Sequence, residues 1–142
     1  MSQTQVELER KFLISSLPQN LSGYKKHEIA QAYIDIDDST KSSTRIRKKD
    51  EKYIQTTKIP NPNWDGNLET EFFVSKEQYE KALKNHIWFV VEKTRYLIPY
   101  GIHIIELDIF HGELDGLILA EVEFTSDEQA KNFILPDWFA QD

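Results

Sequence analysis

VELERKFLI, at residues 6–14, is the stretch on which the reading of this chain turns. Apolar Val6, Leu8 and Phe12 alternate with charged Glu7, Glu9 and Lys11, the period of two that a β-strand shows when one face packs. On a helix, residues two apart point to nearly opposite sides, whereas on a strand Glu7, Glu9 and Lys11 share one face. Ser15, Ser16 and Pro18 then end the strand.

The same signature returns along the chain. Strands are predicted over 29–36, 44–49, 53–59, 68–74, 90–98, 102–110 and 117–125, with an irregular stretch over 18–27. Asp50 and Glu51 turn one hairpin, and Pro60, Asn61, Pro62, Asn63, Asp65 and Gly66 form the clearest loop. Ser75 followed by Gln78 is a capping-box pattern opening a helix over 76–85. Ser126 and Gln129 open a second, with Ala130, Phe133 and Ile134 as its apolar stripe and Pro136 as its stop. About eight strands at hairpin spacings predict an antiparallel, mainly β (α+β) domain over residues 1–142. So many strands in one small domain must curl into a sandwich or barrel.

Like charges recur two apart on these strands: Glu7 with Glu9, Arg45 with Arg47, Glu69 with Glu71, Lys93 with Arg95, Glu106 with Asp108, and Glu121 with Glu123. The opposite face carries Leu8, Phe12, Ile46, Leu68, Phe72, Tyr96, Ile105, Leu107, Ile109, Val122 and Phe124. Taken singly, each pair reads as a solvated face with cross-strand ion pairs. Taken together, adjacent like charges cost energy unless something of opposite sign binds between them. The charged faces are therefore expected to turn inward, with the helices covering the apolar outside.

Adjacent carboxylates such as Glu7 with Glu9 and Glu121 with Glu123 supply hard oxygen ligands for Mg²⁺ or Mn²⁺. Arg45, Arg47, Lys58, Lys93 and Arg95 supply donors for phosphate oxygens. With Lys11 there are six cations against eight carboxylates, an excess of two negative charges that one or two divalent ions would offset. A polyphosphate would then be attracted.

Composition excludes several alternatives. The 142 residues hold no cysteine, so neither a disulfide nor a thiolate nucleophile nor a Cys-type zinc site exists. His27, His86, His103 and His111 lack zinc-helix spacings. A net charge of −7 is the wrong sign for a nucleic-acid binder. The start of the chain lacks a signal-peptide pattern and the apolar runs are too short to span a bilayer, so a cytoplasmic protein without a membrane partner is expected. There is no GxxxxGK loop and no Ser-His-Asp arrangement. Trp64, Trp88 and Trp138 read as rim or core packing, with a lid role conceivable for Trp64 in its long loop.

The order of these motifs resembles the CYTH family, the triphosphate tunnel metalloenzymes. Glu7, Glu9 and Lys11 match its E-x-E-x-K, Arg45 and Arg47 its R-x-R, followed by Lys58, Glu69 and Glu71, VEKTRY at 91–96, ELD at 106–108 and EVEF at 121–124. The resemblance implies an eight-stranded antiparallel closed tunnel with a charged interior and two or three flanking helices. It implies Glu7, Glu9, Asp108, Glu121 and Glu123 as metal ligands, with Glu69, Glu71 and Glu106 as further tunnel carboxylates. Lys11, Arg45, Arg47, Lys58, Lys93 and Arg95 would bind substrate, and Lys11, Glu9 and Lys58 would be catalytic, Lys11 orienting the attacking water. Two departures stand out: Asn67 replaces a frequent basic residue before the second E-x-E, and the sequence runs to Asp142, soon after the P-x-W-F segment at 136–139 that relatives extend into a terminal helix.

The expected activity is metal-dependent hydrolysis of tripolyphosphate or a similar small triphosphate, nucleoside or thiamine triphosphate included, by a monomer or homodimer. A class IV type adenylate cyclase and a non-catalytic polyphosphate- or nucleotide-binding module are the alternatives.

Overall fold

Period-two alternation builds the molecule almost entirely from strands. A computed structural model describes the backbone of residues 2–63 and 66–141 and the side chains of residues 8–63 and 66–140. Trp64, with its conceivable lid role, and the Glu7 side chain lie outside the described residues. Strands β1 (Ser2–Ile14), β2 (Lys25–Asp37), β3 (Ser42–Lys49), β4 (Lys52–Pro60) and β5 (Asn67–Phe73) precede helix α1 (Lys76–Leu83). Strands β6 (Ile87–Tyr100), β7 (His103–His111) and β8 (Ile118–Phe124) then precede helix α2 (Asp127–Lys131) and β9 (Phe139–Gln141).

The fold is mainly β: one antiparallel sheet in the order β5-β4-β3-β2-β6-β7-β8-β1-β9, with two helices. Strand β1 also pairs with β5 at the other end of that order, Val6 opposite Leu68 and Glu7 opposite Asn67. β9 is an addition to the eight expected strands. It is three residues long, pairs with the end of β1, and follows a proline segment in which no alternation can be read.

Other boundaries also differ from expectation. β1 begins at Ser2 and β2 at Lys25, because cross-strand pairing extends strands through polar residues that lack an apolar rhythm. β6 begins at Ile87, where Trp88 takes a left-handed φ of 65° beside a register shift between Gln31 and Tyr33. Such a bulge tilts the local side chains away from the regular alternation. α2 stops at Lys131, so of its expected stripe Ala130 and Phe133 are buried while Ile134 is 77% exposed.

The outward sheet face packs as the alternation predicts. Phe12, Ile105, Leu107, Val122 and Phe124 are buried with Ala130, Phe133 and Phe139 in one cluster beneath α2 and the carboxyl-terminal segment. Each such side chain contributes about 1.5–3 kcal/mol by leaving water. On the other side, the Tyr79 ring of α1 lies 5.0 Å from that of Tyr53 of β4, tilted by 48°. Ser75 caps α1 reciprocally with Gln78, which fixes where that helix starts. No described helix is long and apolar enough to cross a membrane. The apolar face of β1, β7 and β8 is thus largely covered, while Ile59, Phe73 and Ile104 stay exposed, and the charged faces are left to each other.

Candidate active site

Register brings the charged residues together. Glu9 lies directly opposite Glu123 across β1 and β8, and Glu106 opposite Glu121 across β7 and β8, so three neighbouring strands form an acidic wall. On β4 and β5, Lys58 faces Glu69 and Thr56 faces Glu71. β3 contributes Arg45 and Arg47, with Lys49 one step further on the same face.

These side chains enclose a cavity of about 160 Å³. Its carboxylates are Glu9, Glu69, Glu71, Glu106, Glu121 and Glu123; its cations are Arg45, Arg47, Lys49, Lys58 and Arg95. Every described lining residue is charged, and six against five leaves one net negative charge.

The ion pairs across this cavity are long. Lys58 Nζ stands 3.6 Å from both Glu9 and Glu69, Arg47 is 3.5 Å from Glu71, and Arg95 is 3.7 Å from Glu121. At these distances the charges attract without forming short hydrogen bonds. The Nε atoms of Arg45 and Arg47 are buried and donate to no partner. A buried donor left unmade costs free energy that an anion entering the cavity would recover.

Burial, together with the neighbouring Arg45 and Arg95, pushes the Arg47 guanidinium down to about 10, and it remains cationic at neutral pH. Lys49 is likewise displaced downward by burial and by Arg47 and Arg95. Glu121 moves the other way: burial and the adjacent Glu9 carboxylate, with which it is hydrogen-bonded, raise its carboxyl above the usual range. Two carboxylates in contact in a partly dry wall repel unless a proton or a cation lies between them.

Of the residues predicted from sequence, Lys93 and Asp108 are placed behind the cavity wall. Asp108 has no exposed surface; Arg95 donates to it from Nε at 2.7 Å and from Nη2 at 2.8 Å, and Lys93 Nζ lies at 2.8 Å. Burial opposes its ionisation, but these cations hold its carboxyl below the ordinary range. Asp108, Glu106 and Glu121 keep Arg95 charged against its burial. Lys93 is lowered by burial and by Arg95, with Asp108 pulling against them.

Lys11 stands at the rim, on the same strand face as Glu9, its side chain 59% exposed and 3.8 Å from Glu9. Among the described residues no three carboxylate or imidazole groups are gathered closely enough to hold a metal ion, the Glu7 side chain not being among them. Sequence reasoning missed Lys49, although Arg45, Arg47 and Lys49 form one continuous i, i+2, i+4 series. Thr56, whose hydroxyl donates to Glu71 at 3.1 Å, carries no charge to flag it.

Comparison with known proteins places this architecture. An inorganic triphosphatase of Nitrosomonas europaea is 34% identical over 143 residues, spanning 96% of this chain and 87% of that protein. The crystal structure of an inorganic triphosphatase superposes with a TM-score of 0.66 at 32% identity, covering 95% of this chain and 84% of that one. A candidate adenylate cyclase from Bacillus halodurans superposes with a TM-score of 0.72 at 24% identity, over 90% of this chain and 85% of that one, a likeness of fold. The model of the CYTH domain matches residues 5–142. Taken with the charged faces that the strand register assembles, these matches make the chain a member of the CYTH domain family.

Proposed function

We propose that this chain hydrolyses inorganic tripolyphosphate, or a small triphosphate of the same length, with Mg²⁺ or Mn²⁺ bound beside it in a closed tunnel. The observation that carries this reading is the cavity in which five cations face six carboxylates without an apolar residue. Pairing of β1 with β5 supports closure, since it joins the two ends of the eight-strand run. The relative named an inorganic triphosphatase, matched along nearly the whole chain, supports hydrolysis.

In chemistry the donor set suits a hard divalent cation, although the described carboxylates do not stand gathered around one point. Glu9, Glu121 and Glu123 offer carboxylate oxygens on adjacent strands, and Glu7 precedes Glu9 by two on β1. Glu121 is raised first by burial and then by Glu9, and such an ion would offset the repulsion between the two carboxylates. When bound, the ion supplies charge neutralisation on the phosphoryl oxygens and acidifies a coordinated water.

The protein's own groups do the rest. Arg45 and Arg47 direct their unpartnered Nε donors at phosphate oxygens, and Lys49 and Arg95 add charge. Lys58 exchanges part of its attraction to Glu9 and Glu69 for the substrate. Glu69, Glu71 and Glu106 hold Lys58, Arg47 and Arg95 in position while no substrate is bound. Asp108, saturated by Arg95 and Lys93, serves to orient that pair rather than to coordinate metal. Lys11 reaches the site from the rim beside Glu9, where it can orient water. In the reaction, the water oxygen bonds to a terminal phosphorus and the bridging P–O bond breaks. Orthophosphate and pyrophosphate leave, and the water protons pass to products and solvent.

The test is phosphate release from tripolyphosphate with each metal. Glu9→Gln is expected to reduce turnover by at least a hundredfold; turnover with neither metal, or turnover untouched by the substitution, would sink the reading.

A further inference from the structure

Lys49, the last residue of β3, lines the charged cavity, yet no described carboxylate stands within ion-pair distance of it. The neighbouring Arg47 and Arg95 repel it more strongly than Glu106 and Glu71 attract it. A lysine is a hydrated charge on a flexible stem, so a crowded one turns to water unless its backbone aims it elsewhere.

The backbone is held one residue further on. Asp50 opens the two-residue turn between β3 and β4 and takes a left-handed φ of 54°, which an aspartate tolerates when its surroundings impose it. It exchanges hydrogen bonds with Glu28 of β2: the Asp50 N–H donates to the Glu28 carbonyl at 2.8 Å, and the Glu28 N–H donates to Asp50 Oδ1 at 2.9 Å. The other carboxylate oxygen lies 2.6 Å from His27 Nδ1, which donates to it. The Glu28 N–H and then His27 hold the Asp50 carboxyl below the ordinary value of 3.8. The His27 side chain is only 15% exposed and stands opposite Arg95 across β2 and β6, on the strand face that carries Arg95. The turn that follows Lys49 is thus fastened to the strand beside Arg95.

We propose that His27 and Asp50 are positioning residues: their clasp fixes the β3–β4 turn on β2 and keeps Lys49 inside the cavity, against Arg47 and Arg95, as a donor to phosphate oxygens. The proposal rests on the cavity being a triphosphate site and adds two residues that do not line it. A donor aimed in advance spares the substrate the cost of ordering it on binding.

Calorimetric titration with Mg²⁺-tripolyphosphate tests the clasp without requiring turnover. Asp50→Gly removes the carboxylate and supplies a residue suited to the positive φ, so the turn survives, while His27→Ala removes the other half. Each is expected to weaken binding about fivefold, part of what one charge-assisted contact contributes. Asp50→Asn, whose amide oxygen still accepts from Glu28 and His27, is expected to restore most of the affinity. Lys49→Met should weaken binding at least as much, and in that background Asp50→Gly should change it by less than about twofold, because nothing is left to position. In a phosphate-release assay the clasp variants should raise KM and leave kcat within about twofold, whereas a general loss of folded protein would lower kcat at unchanged KM. Unchanged affinity in both Asp50→Gly and His27→Ala, or an equal loss with and without Lys49, would overturn the clasp. Tripolyphosphate binding without phosphate release would refute the hydrolytic reading alone, since the affinities decide the clasp by themselves, and a wild-type protein that binds no tripolyphosphate would overturn both.

Discussion

Glu121 and Asp108 are both carboxylates in the charged interior, yet their neighbours drive them in opposite directions. Asp108 accepts two hydrogen bonds from Arg95 and one ion pair from Lys93, so it is ionised and spent. Glu121 is raised by burial and by Glu9, so it holds its proton more tightly in the folded protein than in the unfolded chain. Its contribution to stability is therefore complete below the ordinary value of 4.5 and is lost as pH rises through the raised one. At neutral pH the metal-free fold carries this repulsion as a cost. Glu121→Gln is expected to raise the metal-free melting temperature by ~3 °C, about 1 kcal/mol for a chain of this size. Turnover should fall at least tenfold in the same variant. Thermal melts with and without chelator, beside a phosphate-release assay, check both halves, and a destabilised metal-free variant would contradict the account.

Among the elements, β9 was the least visible in advance. It contains three residues, and its pairing with β1 shifts register between Leu13 and Ile14. What holds it is Phe139, whose ring lies 4.8 Å from Phe12, with Phe133 at 6.4 Å. The segment thus closes the apolar cluster that the outward faces of β1, β7 and β8 leave open. Phe139→Ala is expected to cost ~3–5 kcal/mol, the usual range for deleting a buried phenyl ring. Urea unfolding measures it, and a loss below ~1 kcal/mol would mean that the cluster does not depend on this strand. By contrast α1 was legible from its first residue, because the Ser75–Gln78 capping box is a local device whose partners are three residues apart.

At the scale of the whole molecule, charge is sorted by face. The chain carries a net −7, but the cavity holds a near balance in which buried cations crowd one another. Crowding lowers Lys49 from the ordinary 10.5, burial first and then Arg47 and Arg95. As pH rises, Lys49 therefore loses its charge earlier than a free lysine would. Affinity for tripolyphosphate is expected to decline on an alkaline limb beginning below pH 10.5, to which Lys49 and Arg47, itself pushed down to about 10, both contribute, and Lys49→Arg should move the Lys49 part upward. The stability term has the opposite sign, because over that window the unfolded chain holds the proton that the folded protein has lost. Isothermal titration between about pH 8 and 11 follows the affinity while urea unfolding over the same range follows the stability, and a limb that Lys49→Arg leaves wholly in place would assign it to Arg47 or another group.

Much of this was readable from local pattern alone. Alternation at 6–14 and its repeats predicts strands, says which face packs, and brings Arg45 with Arg47 and Glu121 with Glu123 to one side, because side-chain direction on a strand depends only on neighbours two residues away. Motif order over the same residues suffices for the family. The sequence leaves undetermined which charges meet. That Asp108 saturates Arg95 while Glu121 repels Glu9, that Lys49 joins the cavity while Lys11 stands outside it, and that Trp88 turns toward Tyr33 were decided by the tertiary structure. The reason is register: pairing between strands far apart in sequence sets which residues stand opposite, and a slip of one residue, as between Tyr33 and Asp35 where β2 pairs with β3, changes which residues share a face beyond it.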